Sequence, residues 1–306
     1  MNKNRIISTF LVLVLLASFQ PVFSGDQNLG SKENKVSIYR MLWRYIKDEL
    51  KSRRLRIPPL KDVMSEIGEP TRGALSKDSI KVLVWNMYKG DKPDWERDFL
   101  FLARGHDILV LQEMYLGKTM KRVFNQHTEY HYKLATSFIY KDENIRTGLA
   151  TAAQVEPTSV FFQRSNVLEP VINTPKMSLF THYPIKDHDK DLMVINIHAI
   201  NFVTTWGLAQ QIKEIAKVIK AYDGPTIFAG DFNTWSEEKI RYLKHQMHRL
   251  NLTEVVFDPD TRMRTFKNPL DYVFTKGLVL KSANVWGDLD GSDHKALDVE
   301  FSVEIK

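Results

Sequence analysis

Six groups of polar residues in this chain have side chains suited to hold a cation, move a proton or grip a phosphate. They are Asn86, Gln112-Glu113, Asn196 with His198, Asp231 with Asn233, Asp271, and Asp293-His294. Each sits at or near the end of an apolar run. The most informative run is 226–233, Thr-Ile-Phe-Ala-Gly-Asp-Phe-Asn, which stops abruptly in a carboxylate and a carboxamide two residues apart. Side chains two apart on an extended strand face the same way, so Asp231 and Asn233 are expected to converge on one ligand. Oxygen donors of this kind suit a hard cation and the phosphate that travels with it. Singly, each group has a structural explanation, since Asp and Asn cap helices and make turns and a lone His is usually a satisfied core or surface group. Jointly they indicate a site, because α/β folds build sites at the ends of their sheets.

The chemistry such a set could perform is phosphoester hydrolysis. A phosphodiester resists attack because its charge repels the nucleophile and its alkoxide leaves poorly. A divalent cation held by Glu113 and an amide such as Asn86 would neutralise charge in the transition state. Deprotonating and aiming a water suits Asp231 or a His–Asp pair, and a second His would serve a phosphate or leaving-group oxygen. The candidate ligands are mainly carboxylates and amides, which favours Mg²⁺ over Zn²⁺, with Mn²⁺ as the alternative. Other chemistries lack their signatures. The chain has no Gly-x-Ser-x-Gly elbow, no phosphate-binding loop ending in Gly-Lys-Ser/Thr, no Gly-x-Gly-x-x-Gly after the first strand and no His-Glu-x-x-His.

The elements that must position these groups are short apolar runs of strand length at 80–85, 108–111, 192–197 and 225–229. Helical patterns lie between them at 95–104, 204–221 and 236–250, and strands return at 272–275, 278–285 and 296–303. The stretch 131–184 alternates without helical periodicity and reads as strands and hairpins. Mixed strands and helices of this kind imply α/β layers around sheets.

At 306 residues, 43% hydrophobic and 26% charged, the composition is that of a globular protein, and the net charge of +6 leans mildly toward an anionic partner. There are no cysteines, which excludes disulfides, thiolate metal sites and cysteine nucleophiles. The first 24 residues read as an export signal. Lys3 and Arg5 precede an apolar stretch, and Val22-Phe23-Ser24 offers a cleavage site. A periplasmic or secreted protein is therefore expected, with an uncleaved membrane anchor as the alternative. Residues 25–79 form an N-terminal extension: a basic amphipathic helix over 36–54, then a linker rich in Gly and Pro. The helix suits a solvated basic face or a membrane surface. The main domain is placed at 80–306.

The ordered series Trp85-Asn86, Gln112-Glu113, Asn196-Ile-His198, Gly230-Asp231-Phe-Asn233, Leu270-Asp271-Tyr272 and Ser292-Asp293-His294 resembles the endonuclease/exonuclease/phosphatase superfamily. The wording of Val84-Trp-Asn-Met-Tyr-Lys89 and Asn196-Ile-His-Ala-Ile-Asn-Phe202 is similar to its bacterial YafD-like branch. The resemblance implies a four-layer α/β sandwich, two mixed β-sheets face to face flanked by helices. It implies Glu113 as main metal ligand with Asn86 beside it, and Asp293 holding the metal directly or through water. Asp231 and Asn233 would orient water and phosphate. His294 would act with Asp271 as a buried pair, and His198 would face the scissile phosphate from the other side. Lys176 falls near a phosphate-binding position. The leading expectation is a monomeric phosphodiesterase acting on nucleic acid. The alternatives are a phospholipase C-like enzyme, an inositol-phosphate phosphatase, or a non-catalytic binding module. A lipid substrate would need exposed apolar loops, for which Phe161-Phe162 and Phe202 with Trp206 are candidates.

Overall fold

The structure is a computed structural model, and it describes residues 55–170 and 172–304. The expected leader and the basic helix at 36–54 lie outside these residues. The strands are β1 (Leu55–Arg56), β2 (Met64–Ile67), β3 (Ile80–Asn86), β4 (Ile108–Tyr115), β5 (His131–Tyr140), β6 (Ile145–Ala153), β7 (Ser159–Arg164) and β8 (Met177–Tyr183). They continue as β9 (Leu192–His198), β10 (Thr226–Asp231), β11 (Thr253–Glu254), β12 (Arg264–Thr265), β13 (Asn268–Pro269), β14 (Asp271–Lys276), β15 (Leu278–Trp286) and β16 (Ala296–Val303). The α-helices are α1 (Trp95–Ala103), α2 (Lys118–Gln126), α3 (Thr205–Ala221) and α4 (Glu237–Arg249).

Two mixed sheets carry the fold. One runs β1-β5-β6-β4-β3-β16-β15, with β2 also on β5; the other runs β11-β14-β10-β9-β8-β7. Each has one parallel pair, β3 with β4 and β9 with β10. Parallel neighbours need a crossover, and α1 and α3 supply them. Strands β1 and β2 come from the stretch that the sequence places ahead of the main domain, and both pair with β5.

Alternation along the strands builds the four layers. Val82, Val84, Ile108, Val110, Val194, Ile227, Ala229 and Val273 point between the sheets into one buried cluster. Their odd neighbours Leu83, Trp85, Leu109 and Leu111 face outward, where Trp95 and Phe99 of α1 and Met120, Val123 and Phe124 of α2 cover them. On the other sheet Met193, Ile195, Ile197 and Phe228 face Leu208, Ile212 and Ile215 of α3 and Leu243 and Met247 of α4. Strands buried on both faces read as continuous apolar runs, which is why these runs stand out in the sequence. Helix α4 starts where the Ser236 hydroxyl accepts from Lys239 N at 3.3 Å, with Glu237 and Glu238 in its first turn. Among the described residues no helix is long and apolar enough to cross a membrane.

Candidate active site

The site is the upper end of the inter-sheet core. Each inward column of side chains turns from apolar to polar toward its upper end: Val82-Val84-Asn86, Ile108-Val110-Gln112, Val194-Asn196-His198, and Ile227-Ala229-Asp231. Register then aligns the ends. Asp231 is the Cα partner of His198 across the parallel ladder and of Asp271 across the antiparallel one. Asn86 is likewise paired with Gln112 in the other sheet. Below the mouth, Gln112 and Asn196 tie the sheets together. Gln112 Nε2 donates to Asn196 Oδ1 at 2.8 Å, and Asn196 Nδ2 donates to Leu111 O and Ala150 O, both at 3.0 Å. Both side chains are fully buried, and these bonds satisfy the amide nitrogens and Asn196 Oδ1, groups that would otherwise be costly.

A continuous polar array crosses the mouth. Starting from Glu169, its Oε1 is 3.4 Å from Lys176 Nζ, which is 3.3 Å from His198 Nε2. His198 Nε2 is 3.6 Å from Asp231 Oδ2, and that oxygen is 3.9 Å from His294 Nε2. His294 Nδ1 meets Asp271 Oδ2 at 2.7 Å. Asn86 Nδ2 donates to the same Asp231 oxygen at 3.0 Å, and Asn233 N donates to Asp231 Oδ1 at 2.9 Å. His294 is fixed from behind, its carbonyl accepting from Trp85 Nε1 at 3.1 Å and its N–H donating to Ser292 Oγ at 3.1 Å.

Burial and charge set three different protonation states here. Burial, aided by the charge of Asp271, pushes the Asp231 carboxyl up to about 7 against the opposing pull of His294 and of its hydrogen bonds from Asn233 and Asn86. His198 is pushed well below the ordinary histidine value by burial and by the ammonium of Lys176. For His294 burial also opposes the charge, but Asp271, Asp231 and Asp293 override it and hold the imidazole well above its usual value. One site therefore holds a carboxyl poised near neutrality, a neutral histidine and a cationic one.

Glu113 reaches the cleft by a different device. Strict alternation would send it outward with Leu109 and Leu111. Instead the β4–β6 register slips between Leu111 and Met114, and Glu113 takes a left-handed backbone with φ 54°. Bulges of this kind re-aim side chains beside sites. Tyr88 (φ 48°), Lys89 (φ 58°), Phe202 (φ 54°) and Asn233 (φ 49°) are also left-handed, and all line the same cleft of about 530 Å³ as Glu113. Such conformations cost of order 1–3 kcal/mol each and cluster at functional sites.

Lys89, Glu113, Lys176, His198, Asp231, Asn233, Asp293 and His294 line this cleft, while Asn86 and Asp271 support it from the strand ends. Asn233 corrects one expectation. Strand β10 ends at Asp231, so the two residues do not share a strand face; the turn that follows brings Asn233 back, with its Nδ2 donating to Ala199 O at 2.8 Å. Of the aromatic candidates for a lipid surface, Phe202 is buried and Phe161 stacks on Phe180 at 4.5 Å. Trp206 is 64% exposed.

Among the described residues one group of acids and histidines has its ligand atoms within 4.8 Å of one another, Asp231, Asp271 and His294, and Asp271 Oδ1 is buried without a hydrogen-bond donor. His294 Nδ1 is already committed to Asp271, and its raised basicity opposes a nearby cation. By donor type, the carboxylates Glu113 and Asp293 that line the cleft, with the Asn86 amide, are the oxygen ligands that Mg²⁺ prefers.

Two buried residues were not singled out by the sequence. Glu169 lies in an irregular stretch with no periodicity to mark it. Lys239 did leave a signal: it opens the buried stripe Lys239-Leu243-Met247 of α4, where an apolar residue is the rule. Its Nζ reaches Asn233 O at 3.4 Å and lies 4.3 Å from the Trp235 ring centre. Burial lowers its amine to about 7.

Comparison with known proteins agrees with this geometry. The model of the "Endonuclease/Exonuclease/phosphatase family" matches residues 83–294. A "UPF0294 protein" of Vibrio campbellii is 36% identical over 232 residues, covering 75% of this chain and 80% of that protein. Among solved structures, an endonuclease/exonuclease/phosphatase from Beutenbergia cavernae superposes with a TM-score of 0.60 at 14% identity, covering 74% of this chain and 72% of the other. The human Nocturnin catalytic domain with bound sulfate gives 0.54 at 17% identity, covering 81% and 100%. The two solved structures bear on the fold alone. The matched residues run from within β3 through His294, the whole span of the site, and the chain belongs to the endonuclease/exonuclease/phosphatase family, in its UPF0294, YafD-like branch.

Proposed function

We propose that the protein is a divalent-metal-dependent phosphoesterase, with a phosphodiesterase of nuclease type as the leading form. The observation that carries this reading is the register row His198–Asp231–Asp271 closed by the His294–Asp271 hydrogen bond of 2.7 Å. It supports a reading in which a base, a neutral imidazole and a carboxylate-backed cationic imidazole share one cleft wall.

Each side chain then has a task that follows from its state. Asp231, raised to about 7 by burial, takes a proton from the attacking water and aims its oxygen at phosphorus. As the P–O bond to the leaving group breaks, His294 donates from Nε2 to the departing oxygen, its charge supported by Asp271. His198, held neutral, and Lys176 face the non-bridging phosphoryl oxygens, and Asn233 completes their hydrogen bonding. Glu113, Asn86 and Asp293 would hold Mg²⁺, which when bound supplies charge neutralisation of the phosphoryl group. Nucleic acid is the leading substrate class, supported by the net charge of +6. The leader-like N-terminus supports export to the periplasm or medium.

The test offers the full chain a panel of DNA, RNA, sphingomyelin, phosphoinositides and bis(p-nitrophenyl) phosphate, in Mg²⁺ and in EDTA. Cleavage of at least one that disappears in EDTA is expected. Cleavage of nucleic acid that weakens steeply with salt identifies the leading substrate class. No chelator-sensitive cleavage of any of them returns the chain to the binding-module reading.

A further inference from the structure

Asp231 is flanked by two cations, and each has a carboxylate behind it. On one side His294 is held by Asp271 at 2.7 Å. On the other, Lys176 lies 3.4 Å from Glu169. Asp271 is accounted for by the proposed chemistry, whereas Glu169 is not.

Glu169 lies in the connection between β7 and β8, which folds back on itself. Glu169 N donates to Thr174 O at 2.9 Å, and Asn173 N donates to Glu169 O at 3.0 Å. Thr174 Oγ1 donates to Glu169 Oε2 at 3.4 Å. The Lys176 backbone is pinned as well: its N–H donates to Ser165 Oγ, and its carbonyl accepts from Ser165 N, both at 2.9 Å. The Glu169 side chain is 0% exposed and that of Lys176 is 13% exposed. Burying a carboxylate is costly unless it is paired. A residue needed only to close this turn would not require a charge.

We propose that Glu169 is a positioning residue that fixes Lys176 as an ammonium donor to a non-bridging phosphoryl oxygen. It is the counterpart, across Asp231, of Asp271 behind His294. The proposal rests on the phosphoesterase reading and adds a role that reading does not need. Lysine has a flexible stem and three N–H donors. Nζ sits 3.4 Å from Glu169 Oε1 and 3.3 Å from His198 Nε2, which leaves N–H capacity to turn toward a phosphoryl oxygen in the cleft. The Glu169 carboxylate removes rotamer freedom from Lys176 and holds its ammonium beside the cleft.

Three variants test this in the full chain: Glu169→Gln, Lys176→Met and the double change. The readouts are steady-state kinetics on bis(p-nitrophenyl) phosphate with Mg²⁺, and calorimetric binding of inorganic phosphate in metal-free buffer. Glu169→Gln is expected to weaken phosphate binding and raise KM by about tenfold, the equivalent of about 1.4 kcal/mol, close to the effect of Lys176→Met. The double variant should be no worse than Lys176→Met, because the two residues act as one unit. A purely structural role would instead give losses that multiply. Stability supplies an independent arm: Lys176→Met strands a buried carboxylate and lowers Tm, and adding Glu169→Gln restores it. Phosphate binding within twofold of wild type in Glu169→Gln, or multiplicative losses, overturns the proposal. If wild type hydrolyses no ester yet phosphate binding follows the expected pattern, the phosphoesterase reading falls and the Glu169–Lys176 pairing stands.

Discussion

Asp231 and Asp271 are direct neighbours across the β10–β14 ladder, two buried carboxylates in register. Like charges in this arrangement destabilise a sheet, and the repulsion adds to the burial that lifts Asp231 to about 7. The imidazole of His294 makes the pair tolerable. Its Nδ1 is 2.7 Å from Asp271 and its Nε2 is 3.9 Å from Asp231. A fold indifferent to chemistry would gain stability by replacing either acid, so two acids at this point are a mark of function.

The first expected outcome concerns that bridge. Asp271→Asn removes the charge that holds His294 cationic and fixes its proton on Nδ1. The turnover number should fall about 10²–10⁴-fold, the range of a lost acid–base component, with circular dichroism unchanged. KM should move little, because Asp271 is not placed against substrate.

The second concerns pH. The Asp231 carboxyl has its folded pKa raised, so the stability it contributes is fully present below its unfolded value near 4 and is lost as pH rises through about 7. Thermal melts from pH 4 to 8 should therefore show Asp231→Asn gaining on wild type as pH rises. The rate should behave in the opposite sense at first. The kcat/KM of wild type climbs as Asp231 ionises near pH 7 and falls again at higher pH as His294 loses its proton.

Metal binding gives a third outcome that does not depend on turnover. A ligand that binds only the folded state raises Tm, by roughly 2.7 kcal/mol of added stability at a hundredfold excess over Kd. Mg²⁺ should raise the Tm of wild type in a scanning calorimeter and leave that of Glu113→Ala unmoved. An equal rise in both variants would move the site to the Asp231–Asp271–His294 cluster.

Backbone geometry supplies the fourth. Gly230 has φ 137°, and a Cβ there would lie 2.1 Å from Ile197 O, the residue beside His198. Gly230→Ala must push β10 away from β9 and with it Asp231 away from His198. A loss of stability of about 1–3 kcal/mol is expected from the strained backbone alone. Hydrolysis should be lost although no polar side chain has changed, as assay and melting of the same sample will show.

Much of this was legible in the sequence, for one physical reason. Strands β3, β4, β9 and β10 are buried on both faces for most of their length, so each reads as a mainly apolar run, and the polar residue at its end marks the sheet end. Asn86, His198 and Asp231 were found that way. What escaped notice did so for equally physical reasons. Helix α2 is short and buries only Met120, Val123 and Phe124, too few for a clear stripe. The left-handed turn that aims Glu113 follows from a register slip against β6, which no local pattern encodes. Glu169 acquires its place from a loop folded back on Thr174. The Asp231–Asn233 pair was legible as residues but not as geometry, because the strand stops at the first of them.

The most direct test is single-variant hydrolysis of whichever phosphoester the wild-type chain cleaves, in Mg²⁺ and in EDTA. Wild type is expected to turn over in Mg²⁺ and stop in EDTA, with Glu113→Ala and His294→Ala folded but reduced at least about 10²-fold in Mg²⁺. Turnover at the wild-type rate in either variant, or wild-type hydrolysis indifferent to EDTA, would contradict the account.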